Sequence, residues 1–175
     1  MDKNVSRLLA LVNQLLDFRK TEVEGYKLNF VRTDIISLLK DQLRCFQELA
    51  EEKGKNIHFT SENESIPIFI DREAITKIFT NLLSNAIKYA NKEIHIEVVE
   101  EGNNLKFIFS NDGKPVPDDM KEKIFEPFYR VSDLENPKLG TGLGLPLARS
   151  LAEIAEYFRP IREDALASGL MNTKV

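Results

Sequence analysis

With 175 residues, 42% of them hydrophobic and 30% charged, the chain is long enough for one sizeable core and a short appendage, in the composition of a soluble globular protein. A formal net charge of -4 argues against a nucleic-acid surface, which needs a basic excess. No apolar run approaches the roughly 20 residues that span a bilayer, so neither a membrane anchor nor a signal peptide is expected.

The apolar residues Val5, Leu8, Leu9, Val12, Leu15 and Leu16 recur at three-and-four spacing, with Arg7, Asn13, Gln14 and Asp17 between them. This predicts an amphipathic helix without a core of its own, ending near Glu24-Gly25. It is either an ordinary N-terminal helix or part of a helical hairpin that pairs with another chain. Residues 27–32 alternate as a half-buried strand does, and Thr33-Asp34 then offers an N-cap for a helix to about Glu52, closed by Gly54. Within that helix the single cysteine, Cys45, cannot form an internal disulfide; its apolar neighbours Leu43 and Phe46 suggest a buried thiol in a reducing compartment. Residues 56–60 and 66–70 read as strands, Asp71 caps a second long helix to Ala90, and strands 93–100 and 104–110 follow, joined by a turn at 102–104. His58 and His95 stand in strand-like runs without spaced Cys or His partners, which argues against a zinc site. From 111 to 140 Gly, Pro, Asp and Lys dominate around the aromatic cluster Phe125, Phe128 and Tyr129. A connection this long is either a functional lid or disordered.

Residues 139–148 read LGTGLGLPLA, with Gly140, Gly142 and Gly144 running into an apolar segment. Glycine allows close backbone approach, and a helix start offers free N–H groups, so the stretch is a phosphate loop or only a flexible corner before a helix. A Walker ending is absent, because Leu145 and Pro146 follow Gly144. On the second long helix Ile75, Ile78, Phe79, Leu82, Leu83, Ala86 and Ile87 form the core stripe, while Asn81, Asn85 and Lys88 share a neighbouring face. Asparagine is a poor helix former, and two of them one turn apart fit either a solvated face, with one amide bonded to a nearby carbonyl, or a magnesium and phosphate site.

Residues 81–90, NLLSNAIKYA, resemble the N box of sensor histidine kinases; 125–130, FEPFYR, resemble their F box; and 140–145, GTGLGL, resemble their G2 box. The three occur in the family's order. The resemblance implies a Bergerat-type ATP-binding fold, an α/β two-layer sandwich with a mixed sheet, helices on one face and an ATP lid, shared with gyrase-type ATPases, heat-shock-90 chaperones and mismatch-repair ATPases. By that resemblance Asn85 is the Mg²⁺ ligand, Asn81 its neighbour on the phosphate side, Lys88 a phosphate contact and Tyr89 a flank of the nucleotide. Phe125 and Phe128 belong to the lid. Gly140, Thr141, Gly142, Leu143, Gly144 and Leu145 form its hinge and leave main-chain N–H groups for the triphosphate. The family's adenine-reading Asp aligns with Asn111, whose amide can both accept from the adenine amino group and donate to the ring; Asp112 is the other candidate. Gly113 matches the first glycine of that box, and Pro115 stands where the second belongs.

The same resemblance implies a domain division: residues 1–25 as the distal part of a dimerisation and phosphotransfer hairpin, 26–155 as the ATP-binding catalytic domain, and 156–175 as an unassigned tail in place of the closing strands. The phosphoacceptor histidine would belong to a helix preceding Val5, so this chain alone is not expected to autophosphorylate. Its expected partners are its own histidine hairpin, in a homodimeric parent, and the receiver domain of a response regulator. Neither nucleic acid nor membrane contact is expected here, and the expected location is cytoplasmic, in an inner-membrane sensor. A non-catalytic nucleotide-binding or interaction module of the same fold is the alternative, favoured by Asn111 and Pro115. A gyrase-like ATPase would need a general-base Glu on the N-box helix, where Asn81 and Asn85 stand.

Overall fold

The computed structural model describes residues 3–22, 27–102, 104–131 and 140–157. The proposed tail beyond Tyr157 and the lid residues 132–139 lie outside them. In chain order the elements are α1 (Lys3–Glu22), β1 (Phe30–Asp34), α2 (Ile35–Glu52), β2 (Asn56–Ser61), β3 (Pro67–Asp71), α3 (Arg72–Tyr89), β4 (Glu93–Glu101), β5 (Asn104–Asn111), two short 3-10 turns (Asp118–Met120 and Lys123–Phe125), and α4 (Gly144–Tyr157).

Both α2 and α3 start at an aspartate in extended conformation. Asp34 Oδ1 accepts from Ile36 N at 3.1 Å and Asp71 Oδ1 accepts from Ala74 N at 2.9 Å, each satisfying one of the amides a helix start leaves unpaired. Both carboxylates also bond beyond their own helices. Asp71 Oδ2 takes Asn29 N at 2.8 Å, while Asp34 also accepts Ile66 N at 3.0 Å and the Ser37 hydroxyl at 2.7 Å. Burial opposes the charge on Asp34, but these donors, with Ser65, outweigh it and hold its carboxyl down at about 2.

The mixed sheet that the sequence pattern suggests is present, and among the described residues a second, two-stranded sheet accompanies it. β1 and β3 pair antiparallel, Val31 opposite Ile70, while β2, β4 and β5 form a mixed sheet in that order, β2 parallel and β5 antiparallel to β4. The reason is local: β1 runs into α2 through Asp34 and β3 into α3 through Asp71 with no residues between, so each strand is held at a helix start. For the same reason the first strand begins at Phe30 and runs to its cap, later than the alternation of 27–32 suggests.

β4 alternates as a one-sided strand should, Ile94, Ile96 and Val98 buried and His95 and Glu97 exposed. The buried face packs under α3, where Phe79 lies 5.2 Å from the Phe107 ring and 5.9 Å from that of Phe109. α2 adds Ile36 and Leu39, α4 adds Leu147 and Leu151, and together these close one core. On the outer face His58 and His95 stack with ring centroids 4.8 Å apart, and Glu93 Oε2 lies 2.7 Å from His58 Nε2.

Cys45 is exposed, which corrects the buried thiol expected from its neighbours. An α-helix turns about 100° per residue, so Cys45 points some 200° round from buried Leu43, into solvent. α1 keeps Val5, Leu8, Leu9, Val12 and Leu16 exposed and buries Phe18 at the junction with the domain. Among the described residues no helix is long and apolar enough to cross a membrane.

Candidate functional site

The face of α3 beside its core stripe is bordered by glycine-rich backbone on both sides. At the lower turn the Asn81 amide nitrogen donates to Lys77 O at 2.9 Å, the intrahelical bond that the bland reading of a helical asparagine foresees. Its oxygen faces the start of α4, where a Cβ added to Gly144 would stand 3.0 Å from Asn81 Oδ1. One turn on, Asn85 is half-buried, and among the described residues its amide makes no hydrogen bond. A further turn brings Lys88 and Tyr89. The Lys88 ammonium donates to the Tyr89 hydroxyl at 2.7 Å and sits 4.4 Å from the ring centroid. It also lies against the main chain of Gly140, where an added Cβ would come within 2.6 Å of Lys88 Nζ.

On the other side Gly113 lies so close to α3 that a Cβ there would overlap the Tyr89 carbonyl oxygen. Beside it Asp112 is fully engaged: Oδ1 accepts Asn91 N at 2.8 Å and Lys92 N at 2.9 Å, while its own carbonyl accepts the Asn91 side-chain amide at 2.6 Å. These backbone donors, Lys92's foremost, keep its carboxyl below the usual carboxylate range. Asn111 Oδ1 accepts Gly113 N at 2.9 Å, and the residue is exposed.

The glycine loop is tied to the aromatic segment and to α1. Phe128 N donates to Gly142 O at 2.9 Å, and the two backbones touch closely enough that a Cβ on Gly142 would meet the Phe128 main chain at 2.8 Å. Phe128 has φ 66°, a left-handed conformation that costs a bulky residue on the order of 1 kcal/mol and is held here by that contact. Its ring is exposed, whereas the half-buried Phe125 ring lies under the Arg149 guanidinium at 5.0 Å. Arg149 also holds Glu122 at 3.2 Å, fastening the second 3-10 turn to α4. Thr141 caps the next turn, its hydroxyl accepting Leu143 N at 3.2 Å and donating to Gln14 Oε1 of α1 at 2.8 Å. Leu143 is fully buried beneath the loop, and Leu145 is half-buried in the first turn of α4.

Asn81, Asn85, Lys88, Tyr89, Gly113, Gly140 and Gly144 are thus gathered along one helix, although the glycines are far from it in sequence. Not foreseen were Asp112 as the support of the α3–β4 turn, and Gln14, Arg149 and Asp17, whose carboxylate pairs with Lys77 at 2.8 Å. Their signal is a single polar residue without periodicity, legible only once distant segments are adjacent. Among the described residues no group of three or more His, Cys, Asp or Glu is placed to hold a metal. A free amide oxygen in a half-buried setting does suit a hard cation that keeps most of its waters and a nucleotide's own oxygens.

Residues 70–163 match the family described as Histidine kinase-, DNA gyrase B-, and HSP90-like ATPase, which covers more than half of the chain. The chain belongs to this family. It is 32% identical over 155 residues to the sensor histidine kinase WalK of Bacillus subtilis, a match covering 84% of this chain and 25% of that protein. Full-length ShkA in complex with AMPPNP superposes with a TM-score of 0.74 at 26% identity, over 84% of this chain and 31% of that one. The histidine kinase ThkA in complex with the response regulator TrrA gives 0.63 at 26% identity, over 75% of this chain and 39% of that one. The fold is that of the ATP-binding domain of sensor histidine kinases. The chain spans 12%, 26% and 42% of the lengths of three curated relatives it matches.

Proposed function

We propose that this domain binds Mg²⁺-ATP along α3 and, within a longer protein, presents the γ-phosphoryl group to a histidine of a helical hairpin, from which it passes to an aspartate of a response regulator. The observation that carries this reading is Asn85: a half-buried amide without a partner among the described residues, one turn from Asn81 on one side and from Tyr89 on the other. The bound cation would supply charge neutralisation for the phosphates. The chain's own residues do the positioning. Asn111, itself exposed, reads the adenine edge, since Asp112 is committed to the Asn91 and Lys92 amides. Lys88 exchanges its Tyr89 partner for a phosphate, and Gly140, Gly142 and Gly144 leave N–H groups for the β- and γ-phosphates.

ShkA with its bound ATP analogue supports the ligand, and ThkA with TrrA supports the regulator as partner. The exposed apolar face of α1 supports pairing with a second copy through the hairpin. A cytoplasmic position in a membrane sensor accords with the sensor proteins among the relatives.

The test is a nucleotide titration with and without Mg²⁺, followed by mixing with a hairpin that carries an acceptor histidine. Wild-type protein binds ATP more tightly with Mg²⁺, and Asn85→Ala loses about 10-fold or more of the Mg²⁺-dependent affinity while keeping most of the metal-free binding. Acid-labile label then appears on the hairpin only when both are present. Binding without any transfer would establish the non-catalytic module instead, and equal losses with and without metal would remove Asn85 from the cation.

A further inference from the structure

The carbonyls at the end of α3 have a partner that neither the site residues nor their motifs include. Lys55, in the connection between α2 and β2, extends its ammonium to Ile87 O and to Ala90 O, 2.6 Å from each. The last carbonyls of a helix lack intrahelical donors, and a cation there both fills them and suits the negative end of the helix dipole. Immediately beyond, Asp112 takes the Asn91 and Lys92 amides. The turn between α3 and β4 is therefore held from two sides, its carbonyls by a cation and its amides by an anion. Burial depresses the Lys55 ammonium, with the Lys53 charge adding to this, while the Asp112 carboxylate acts the other way, so the two clamping groups sense each other's field.

What the clamp fixes is the C-terminal end of α3, about two turns beyond the point where Gly144 meets Asn81. Tyr89 lies between the two carbonyls that Lys55 holds; Gly113, with its Cα pressed against the Tyr89 carbonyl, and Asn111 flank the aspartate. We infer that Lys55 is a positioning residue for nucleotide binding: together with Asp112 it sets the separation of Tyr89 from Asn111 and Gly113, and so the width of the slot that takes the base. Lys55 touches no nucleotide atom in this scheme. It acts through the turn, at the base end, because Asn81 and Gly144 at the phosphate end meet each other and the Lys77 carbonyl through contacts that do not involve it.

This inference rests on the reading of the chain as an ATP-binding domain, and the experiment separates the two. The full chain and its Lys55→Met and Lys55→Arg variants are titrated with ATP, adenosine and inorganic tripolyphosphate in the presence of Mg²⁺, with circular dichroism and melting recorded for each. Lys55→Met should weaken ATP and adenosine alike, by about 10-fold, as expected when a charged donor to two buried-end carbonyls is lost, and leave tripolyphosphate within about 2-fold of wild type. Lys55→Arg, which retains charge and donors, should recover most of the loss. If Lys55→Met does not fold, Lys55→Gln, a shorter neutral donor, carries the same comparison. Unchanged ATP affinity in a folded Met or Gln variant overturns the inference, as does a tripolyphosphate loss equal to the ATP loss, which would make Lys55 merely structural. Wild-type protein that binds no ATP at all overturns the nucleotide reading and this inference together.

Discussion

α2 and α3 are both 18 residues long, start at aspartates with nearly the same backbone angles, and bury one face in the same core, yet they end differently. α2 stops locally: Gly54 takes φ 65° in open space, and Gly54 N and Lys55 N turn back to Glu51 O and Ala50 O at 2.9 Å each. α3 has no such glycine, and its last carbonyls wait for a lysine 32 and 35 residues away in sequence. A helix closed by its own neighbours can present a purely solvated polar face. One closed from a distance transmits the position of other segments to whatever its polar face binds, and α3 is the helix that carries Asn81, Asn85 and Lys88.

The strongest way to break this contrast is at the two glycines beyond the helix ends. Gly113→Ala forces a methyl into the Tyr89 carbonyl and should cost about 3 kcal/mol with loss of ATP binding, whereas Gly54→Ala meets nothing and should cost only the left-handed backbone term, about 1 kcal/mol. Parallel urea titrations of the two variants decide it, and similar losses would deny that the α3 end is the tighter.

Next come the starts of the two helices, which the geometry makes alike. Asp34→Ala should destabilise by about 1–2 kcal/mol, like any aspartate cap, and remove the acid sensitivity the cap confers. The sign follows from a folded value of about 2 below the ordinary 3.8: the contribution is complete above the unfolded value and fades as pH falls through the folded one. Melting from pH 5 to pH 2 should therefore show a steeper decline for wild type than for Asp34→Ala.

The smallest effect belongs to the solvated side of α2. Cys45 should react with a thiol reagent in the native protein as readily as in urea, and Cys45→Ser should change stability by less than about 0.5 kcal/mol. Protection of the thiol in the native state would restore the burial first expected from Leu43 and Phe46.

The same contrast explains what the sequence disclosed. The start of each helix, the end of α2, and the strands of the mixed sheet are written in neighbouring residues, so Asp34, Gly54, Asp71 and the alternation of residues 93–98 could be read directly. Three short motifs, by their company rather than singly, pointed to residues that the fold gathers along α3. The role of Asp112 in holding the α3–β4 turn was not legible, because the Asn91 and Lys92 amides it accepts lie 21 and 20 residues away in sequence. Nor was the division into two sheets, which depends on strands having no slack before their helices.

One contact described above also bears on how such a chain can vary. The bond from Phe128 N to Gly142 O, reinforced by the fit of one backbone against the other, draws the two ends of the intervening segment together like the neck of a purse. Once a neck is closed, the length of what hangs from it matters little: doubling a flexible loop raises its closure entropy by only about 0.6 kcal/mol. Insertions and deletions between positions 131 and 140 should thus be nearly neutral for the fold, and that part of the chain can be remodelled by selection or by an engineer while α3 and its clamp stay as they are.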